Sequence, residues 1–213
     1  MNDLIDILDI AYENINKLDH INILEIGTGM GENSTVILYN YFKNKNKSFK
    51  LVSYEGDNHY WNHAYNYWNG KDNKNVSIIN EFFSNKEDIK TLLIPSLPEY
   101  IIDYKETNAR FINKYLKLYD NYTNPFTNTN FNPDIIFIDC SRFMHIAIIN
   151  LCFSLFKQNN DNIYIIEDDY FVNEVYGELE IIEKNFKLDI IKKFKKNTWH
   201  WPFVVFKIID KIN

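Results

Sequence analysis

The sequence predicts an α/β fold with a mostly parallel seven-stranded sheet, helices on both faces and an antiparallel hairpin strand near the C-terminus. Three observations predict it. Apolar runs of strand length alternate with segments of helical periodicity along most of the 213 residues, which is the order that builds parallel sheets. A glycine-rich turn, residues 27–31, follows the first apolar run. The last two apolar runs are joined by a lysine-rich turn, which favours antiparallel pairing.

The first half of the chain accounts for three strands and three helices. Apolar residues between positions 4 and 18 recur at helical spacing and predict an opening amphipathic helix. The predicted elements that follow alternate strand and helix: 21–26, 33–42, 49–54, 58–69 and 76–80. Two strand–helix–strand units result, and units of this kind place their strands side by side and parallel.

The second half supplies four more strands around two helices. The predicted elements, again in chain order, are a strand, a helix, a strand, a helix and two hairpin strands: 133–139, 143–157, 163–166, 171–185, 187–193 and 201–209. Residues 84–132 are too many for one ordinary crossover. We therefore expect a single domain over 1–213 with an insertion at 84–132. That insertion could be a substrate lid, a surface elaboration or an oligomer contact.

Composition favours a soluble globular protein. Apolar residues make up 46% and charged residues 24%, and the net charge of −6 argues against a duplex-binding surface. No apolar run approaches a membrane span, and the acidic N-terminus lacks signal-peptide features. Two cysteines, Cys140 and Cys152, weakly favour a reducing compartment. We expect a cytoplasmic protein without nucleic-acid or membrane partners, and interpret the lysine cluster at 192–196 as a solvated turn rather than a binding patch.

The glycine turn indicates a ligand site. Gly27, Gly29 and Gly31 stand at alternate positions after the first strand, where the backbone can bend tightly and approach a ligand. A dinucleotide fingerprint would need glycine at position 32, which is Glu32. Two acids accompany the turn instead. Glu25 comes directly before it in the first strand, and Glu55 stands at the end of the second strand.

With Glu25, the three glycines and Glu55 in this order, the chain resembles the class I S-adenosylmethionine-dependent methyltransferases, whose fold is Rossmann-like. The resemblance implies that Glu25 lies under the methionine amino group and that Asn80 or Glu81 lies beside adenine. Glu55 has two acceptor oxygens for the two ribose hydroxyls. The expected S-adenosylmethionine site comprises Glu25, Gly27, Thr28, Gly29, Gly31, Glu55, Asn80, Glu81 and Asp139.

The ends of strands four and five are similar to those of the macrocin O-methyltransferase-like enzymes, which include sugar O-methyltransferases. The segments concerned are 137–141 and 165–170. This resemblance implies O-methylation of a small polar acceptor, a sugar or nucleotide-sugar, and a magnesium ion on Asp139, Asp168 and Asp169. Carboxylate oxygens suit Mg²⁺. Asp169 could instead cap the following helix.

The catalytic base is less well defined. The residues after Asp139 depart from the family pattern at Cys140, Ser141 and Arg142. The family motif therefore does not identify the catalytic base in this chain. Methyl transfer is an in-line displacement that needs a positioned nucleophile and a proton acceptor. Asp139 and His145 are the candidates, although His145 could simply pack on its helix.

Other patterns leave alternatives open. His59 and His63 have metal-ligand spacing without an evident third ligand. The aromatic segment 60–68 could stack on adenine or substrate, although its spacing also fits core packing. The rival functions are a methyltransferase-like binding module without catalysis and, less favoured by the glycine spacing, a nucleotide-dependent oxidoreductase.

Overall fold

The structure is a computed structural model, which describes residues 2–71, 74–83, 117, 131–140, 145–156, 162–168, 186–193 and 204–211. The described helices are α1 (Asn2–Ile15), α2 (Ser34–Asn44), α3 (Asn58–Asn69) and α4 (His145–Phe156). The described strands are β1 (His20–Ile26), β2 (Ser48–Tyr54), β3 (Val76–Ile79), β4 (Ile135–Ile138), β5 (Tyr164–Glu167), β6 (Phe186–Lys193) and β7 (Val204–Lys211).

The strands form one sheet in the order β3-β2-β1-β4-β5-β7-β6. β1 to β5 pair in parallel, whereas β7 runs antiparallel to both of its neighbours. The predicted fold class is therefore confirmed. Strand order reverses between β1 and β4, and in such sheets ligands bind beyond the carboxyl ends of the strands at this switch point.

Alternate residues of β1 enter hydrophobic cores on opposite faces of the sheet. Ile21 and Ile23 are fully buried in the core that α1 and α2 cover. Leu24 and Ile26 are buried in the second core, which α4 covers. This period of two explains why the central strands are apolar on both sides, since helices exclude water from each face.

Most predicted boundaries agree with the structure within three residues. The opening helix ends at Ile15, so Leu18 lies beyond it and is 39% exposed. The predicted helix at 171–185 and nearly all of the 84–132 insertion lie outside the described residues. Within the described part of the chain, no helix is long and apolar enough to cross a membrane.

Candidate functional site

The glycine turn is shaped by close packing at two of its glycines. All three have positive φ, at 100° for Gly27, 55° for Gly29 and 73° for Gly31. A Cβ on Gly27 would lie 1.9 Å from the carbonyl oxygen of Asp139, and one on Gly31 would lie 2.9 Å from the Cβ of Ala64. A Cβ on Gly29 would meet nothing within 4 Å. Close packing therefore requires glycine at positions 27 and 31, whereas Gly29 faces open space.

This open space is a cavity of about 420 Å³ at the carboxyl ends of β1, β2 and β4. Its size is that of small-molecule sites. Four acidic residues line it, namely Glu55, Asp57, Glu81 and Asp139, and no Lys or Arg is among the described lining residues. The cavity therefore favours neutral or cationic ligands over anionic ones.

Glu55 is held by backbone donors at the cavity wall. Its Oε2 accepts from the N–H of Gly29 at 2.8 Å, and its Oε1 accepts from the N–H of Asp57 at 2.8 Å. Burial raises the pKa of Glu55 to about 6, and the backbone hydrogen bonds oppose that shift. Each carboxylate oxygen has a second lone pair. The backbone N–H of Gly56 also lowers the pKa of this carboxyl, and the side chain still has acceptor capacity for a ligand in the cavity.

Glu25 lies fully buried beneath the turn in a network of hydroxyls. Its Oε2 accepts from Thr35 Oγ1 at 2.7 Å and from Ser53 Oγ at 2.6 Å. Burial raises the pKa of Glu25 to about 7, against the opposing effect of the Ser34, Ser53 and Thr35 hydroxyls, and the negative charge of Asp139 raises it further. Glu25 therefore titrates near neutral pH in the ligand-free protein.

The segment after β3 closes one end of the cavity. Glu81 lines it, together with Phe82 and Phe83. A Cβ on Gly56 would lie 2.1 Å from the Phe82 ring, so the ring rests directly on the chain after Glu55. Asn80 is absent from the described lining, and its Nδ2 donates to Asn58 Oδ1 at 2.7 Å. Sequence reasoning missed Phe82, although an aromatic pair at a strand end was a usable signal.

Asp139 and Asp168 follow adjacent parallel strands. Ile138 pairs with Glu167 in the register of β4 and β5, so the next residues lie side by side at the same edge. Asp139 lines the cavity, whereas Asp168 is not among its described lining residues. Asp169 lies outside the described residues. The described part of the chain contains no group of three His, Cys, Asp or Glu residues able to hold a metal ion.

The candidate base His145 is the first residue of α4, but its side chain lies outside the described residues, as do Ser141 and Arg142. Cys140 lines the cavity. The exposed His63 places Nδ1 3.2 Å from the Met30 carbonyl oxygen and Nε2 3.8 Å from Glu32 Oε1. Its surroundings are therefore those of a surface histidine.

The aromatic segment at 60–68 divides between the cavity and the core. Tyr60 is 42% exposed and lines the cavity. Trp68 is 6% exposed, and its Nε1 donates to the Gly31 carbonyl oxygen at 2.8 Å. Tyr60 is thus available to a ligand, while Trp68 packs beneath the glycine turn.

Solved structures of methylases share this fold. A ribosomal protein L11 methylase from Lactobacillus delbrueckii subsp. bulgaricus aligns with 94% of this chain and 77% of its own, at 13% identity and a TM-score of 0.51. An rRNA methylase from Streptococcus thermophilus aligns over 95% and 93%, at 8% identity and a TM-score of 0.51. A chain of a fibrillarin/Nop5p complex aligns over 94% and 80%, at 12% identity and a TM-score of 0.54.

No family model matches the chain, and no curated protein matches it in sequence. At 8–13% identity, the structural likeness concerns the fold. The chain therefore has the Rossmann-like architecture found in methyltransferases, as the resemblance implied. The narrower similarity to macrocin O-methyltransferases stays a prediction.

Proposed function

We propose that the protein is an S-adenosylmethionine-dependent methyltransferase. The observation that carries this proposal is that the glycine turn and Glu55 line one cavity, in a fold that solved methylases share. The acidic lining also supports it, because S-adenosylmethionine carries a positive sulfonium. The pyrophosphate of a nicotinamide dinucleotide would instead meet carboxylates, which disfavours the oxidoreductase alternative.

The residues have distinct roles in this proposal. Glu55 accepts hydrogen bonds from the ribose hydroxyls, using acceptor capacity that its backbone donors leave unoccupied. The backbone around Gly29 borders the methionine part, and Glu25 lies beneath its amino group. Glu81 and Phe82 border the adenine, and the ring of Tyr60 offers a stacking surface beside them.

The proposed reaction is attack by an acceptor oxygen on the sulfonium methyl group in one in-line displacement. The protein aligns the two reactants and removes the acceptor proton. Asp139 is proposed as the proton acceptor because it lines the cavity. His145 is the second candidate, since it begins the helix that follows β4.

We also propose that a magnesium ion is bound by Asp139, Asp168 and Asp169. Bound there, it would orient two acceptor oxygens and lower the pKa of the attacking one. The adjacent positions of Asp139 and Asp168 support it, and the third ligand rests on the resemblance alone. We expect Asp168→Asn to weaken magnesium binding at least about tenfold in calorimetry. Equal affinities would remove Asp168 from the site.

The acceptor is proposed to be a sugar or nucleotide-sugar, on the resemblance alone. Neighbours named for a ribosomal protein and for rRNA show that macromolecular acceptors also occur among proteins of this fold. The test is release of S-adenosylhomocysteine in the presence of sugars, nucleotide-sugars, ribosomal protein or RNA. Release with a sugar would support the proposed class, and release only with RNA or protein would replace it. Cofactor binding with no turnover across the panel would favour the catalytically inactive binding module.

A further inference from the structure

Two side chains of α3 bind the second half of the glycine turn. The buried Trp68 donates from Nε1 to the carbonyl oxygen of Gly31 at 2.8 Å. Earlier on the same helix, His63 places Nδ1 3.2 Å from the carbonyl oxygen of Met30. A carbonyl oxygen can only accept, so His63 carries a proton on Nδ1 in this contact. Ring N–H groups of α3 therefore bind the carbonyls of two successive residues of the turn.

Close packing brings the turn and α3 together at Gly31. This glycine is buried, and a Cβ on it would lie 2.9 Å from the Cβ of Ala64 and 3.1 Å from Nε1 of Trp68. Only glycine permits so close an approach. The hydrogen bond from Trp68 is shielded from water, because both of its partners are buried. Loss of this donor would leave a buried carbonyl oxygen without it, which costs more than loss of an exposed hydrogen bond.

The first half of the turn is held by the end of β2. The N–H groups of residues 27 and 28 donate to the carbonyl oxygen of Tyr54 at 3.0 and 3.3 Å. The N–H of Gly29 donates to Oε2 of Glu55 at 2.8 Å. Helix α3 also contacts this half indirectly, because the N–H of Asp57, its N-cap residue, donates to Oε1 of Glu55. One helix thus supports both halves of the turn.

These contacts matter because of the composition of the turn. Three of the five residues at 27–31 are glycine, and glycine loses more conformational freedom on ordering than any other residue. If the ligand itself had to order the turn, this cost would lower the affinity. Gly29 and Met30 line the cavity and lie between the part held by β2 and the carbonyls bound by α3. Contacts from α3 therefore order this segment before a ligand binds.

We propose that Trp68 and His63 are positioning residues, which hold the glycine turn in its ligand-binding conformation through the carbonyl oxygens of Gly31 and Met30. This inference rests on the proposed function, in which the turn borders the methionine part of the cofactor and Glu55 binds the ribose. The two rings act through the backbone, because neither residue is among the described residues that line the cavity. Their effect should therefore fall on the amino-acid part of the ligand rather than on the adenosine.

The first test compares two tryptophans of the same helix. Trp68→Phe removes the N–H that binds Gly31, whereas Trp61→Phe removes an indole N–H that has no hydrogen-bond partner among the described residues. Both variants lose the same atoms, so the change in ring size is common to them. Each is titrated by calorimetry with S-adenosylhomocysteine and with methylthioadenosine, which has the adenosine but no amino-acid part.

We expect Trp68→Phe to lower the affinity for S-adenosylhomocysteine about fivefold to tenfold and that for methylthioadenosine less than about twofold. Trp61→Phe should change neither affinity by more than about twofold. A merely structural role of Trp68 would lower both affinities together, so the ratio of the two affinities isolates the positioning effect.

The second test uses the exposed His63, whose replacement leaves the core intact. His63→Ala should lower S-adenosylhomocysteine affinity about twofold to threefold, because the hydrogen bond to Met30 is exposed to water. His63→Asn is the matched control, since an asparagine amide nitrogen can donate from nearly the position of Nδ1. Its affinity should equal that of the wild type. Both variants lose the exposed contact with Glu32, so the comparison isolates the Nδ1 hydrogen bond.

The outcomes separate this inference from the proposed function. If the folded wild type binds neither ligand, the proposed function fails and the inference fails with it. If the wild type binds both ligands and the ratio of affinities is the same in Trp68→Phe and Trp61→Phe, only the positioning role is refuted. If Trp68→Phe does not fold, the His63 variants decide, and equal S-adenosylhomocysteine affinities of His63→Ala and His63→Asn would overturn the inference.

Discussion

Replacing Glu25 by glutamine should stabilise the ligand-free protein at alkaline pH. Glu25 is fully buried, and burial raises its pKa from 4.5 to about 7. At about 1.36 kcal/mol per pKa unit, ionised Glu25 costs the folded state about 3 kcal/mol relative to the unfolded chain. Glutamine is nearly isosteric and can still accept hydrogen bonds from Thr35 and Ser53, but it carries no charge to desolvate.

The sign of the pH dependence follows from the raised pKa. Well below pH 4.5, the usual pKa of a glutamate side chain, Glu25 is protonated in both states and causes no penalty. Between 4.5 and about 7 the unfolded chain ionises first, so wild-type stability falls as pH rises through this window. Above it, the penalty is constant.

Urea unfolding of both proteins without ligand, from about pH 4.5 to about pH 8, measures this difference. We expect Glu25→Gln and the wild type to differ little at the acidic end. At the alkaline end the variant should be about 3 kcal/mol more stable, or about 6–12 °C in Tm. The pKa of Glu55 is also raised, but Glu55 is present in both proteins, so its contribution to the pH dependence of stability cancels in the difference. A difference that does not grow with pH would refute the reasoning, as would a more stable wild type at the alkaline end.

The remaining predictions concern the turn and the cavity wall. Gly27→Ala should destabilise the fold by several kcal/mol in urea unfolding, because its Cβ would lie 1.9 Å from the Asp139 carbonyl oxygen. Gly29→Ala should cost only about 1 kcal/mol of strain but weaken S-adenosylhomocysteine binding. If the two variants were equally destabilised, the conclusion that Gly27 is needed for packing and Gly29 for close approach of the ligand would be wrong. Glu55→Gln should weaken binding of methylthioadenosine, which has the ribose but no amino acid, about tenfold in calorimetry, whereas Glu32→Gln at the exposed end of the turn should not. Equal effects of the two acid variants would exclude the ribose contact.

The fold was predictable because its strongest signals are local. The apolar runs at β1, β4 and β5 are buried on both faces, and each is followed by the turn or acid that ends it. Glycines at alternate positions also predicted the turn. In the structure Gly27 and Gly31 have no room for a side chain, which explains why the signal is visible in the sequence.

The network beneath the turn was not predictable in the same way. Ser53 is 28 residues from Glu25 and becomes its neighbour only through the register of β1 and β2. Serine and threonine at these positions resemble ordinary strand and helix residues in the sequence. Similarly, Phe82 closes the cavity because it packs on Gly56, whereas Asn80 forms a hydrogen bond with Asn58. Contacts between distant elements decide such details, and sequence spacing does not encode them.

The most direct test of the account is calorimetric titration of the folded protein with S-adenosylhomocysteine and, separately, with NADH. A cavity of about 420 Å³ lined by the glycine turn and four acidic residues should bind S-adenosylhomocysteine with an affinity in about the micromolar range and NADH far more weakly. Absence of S-adenosylhomocysteine binding to a sample shown to be folded, or preferential binding of NADH, would contradict the assignment of this cavity to a methyl-donor cofactor.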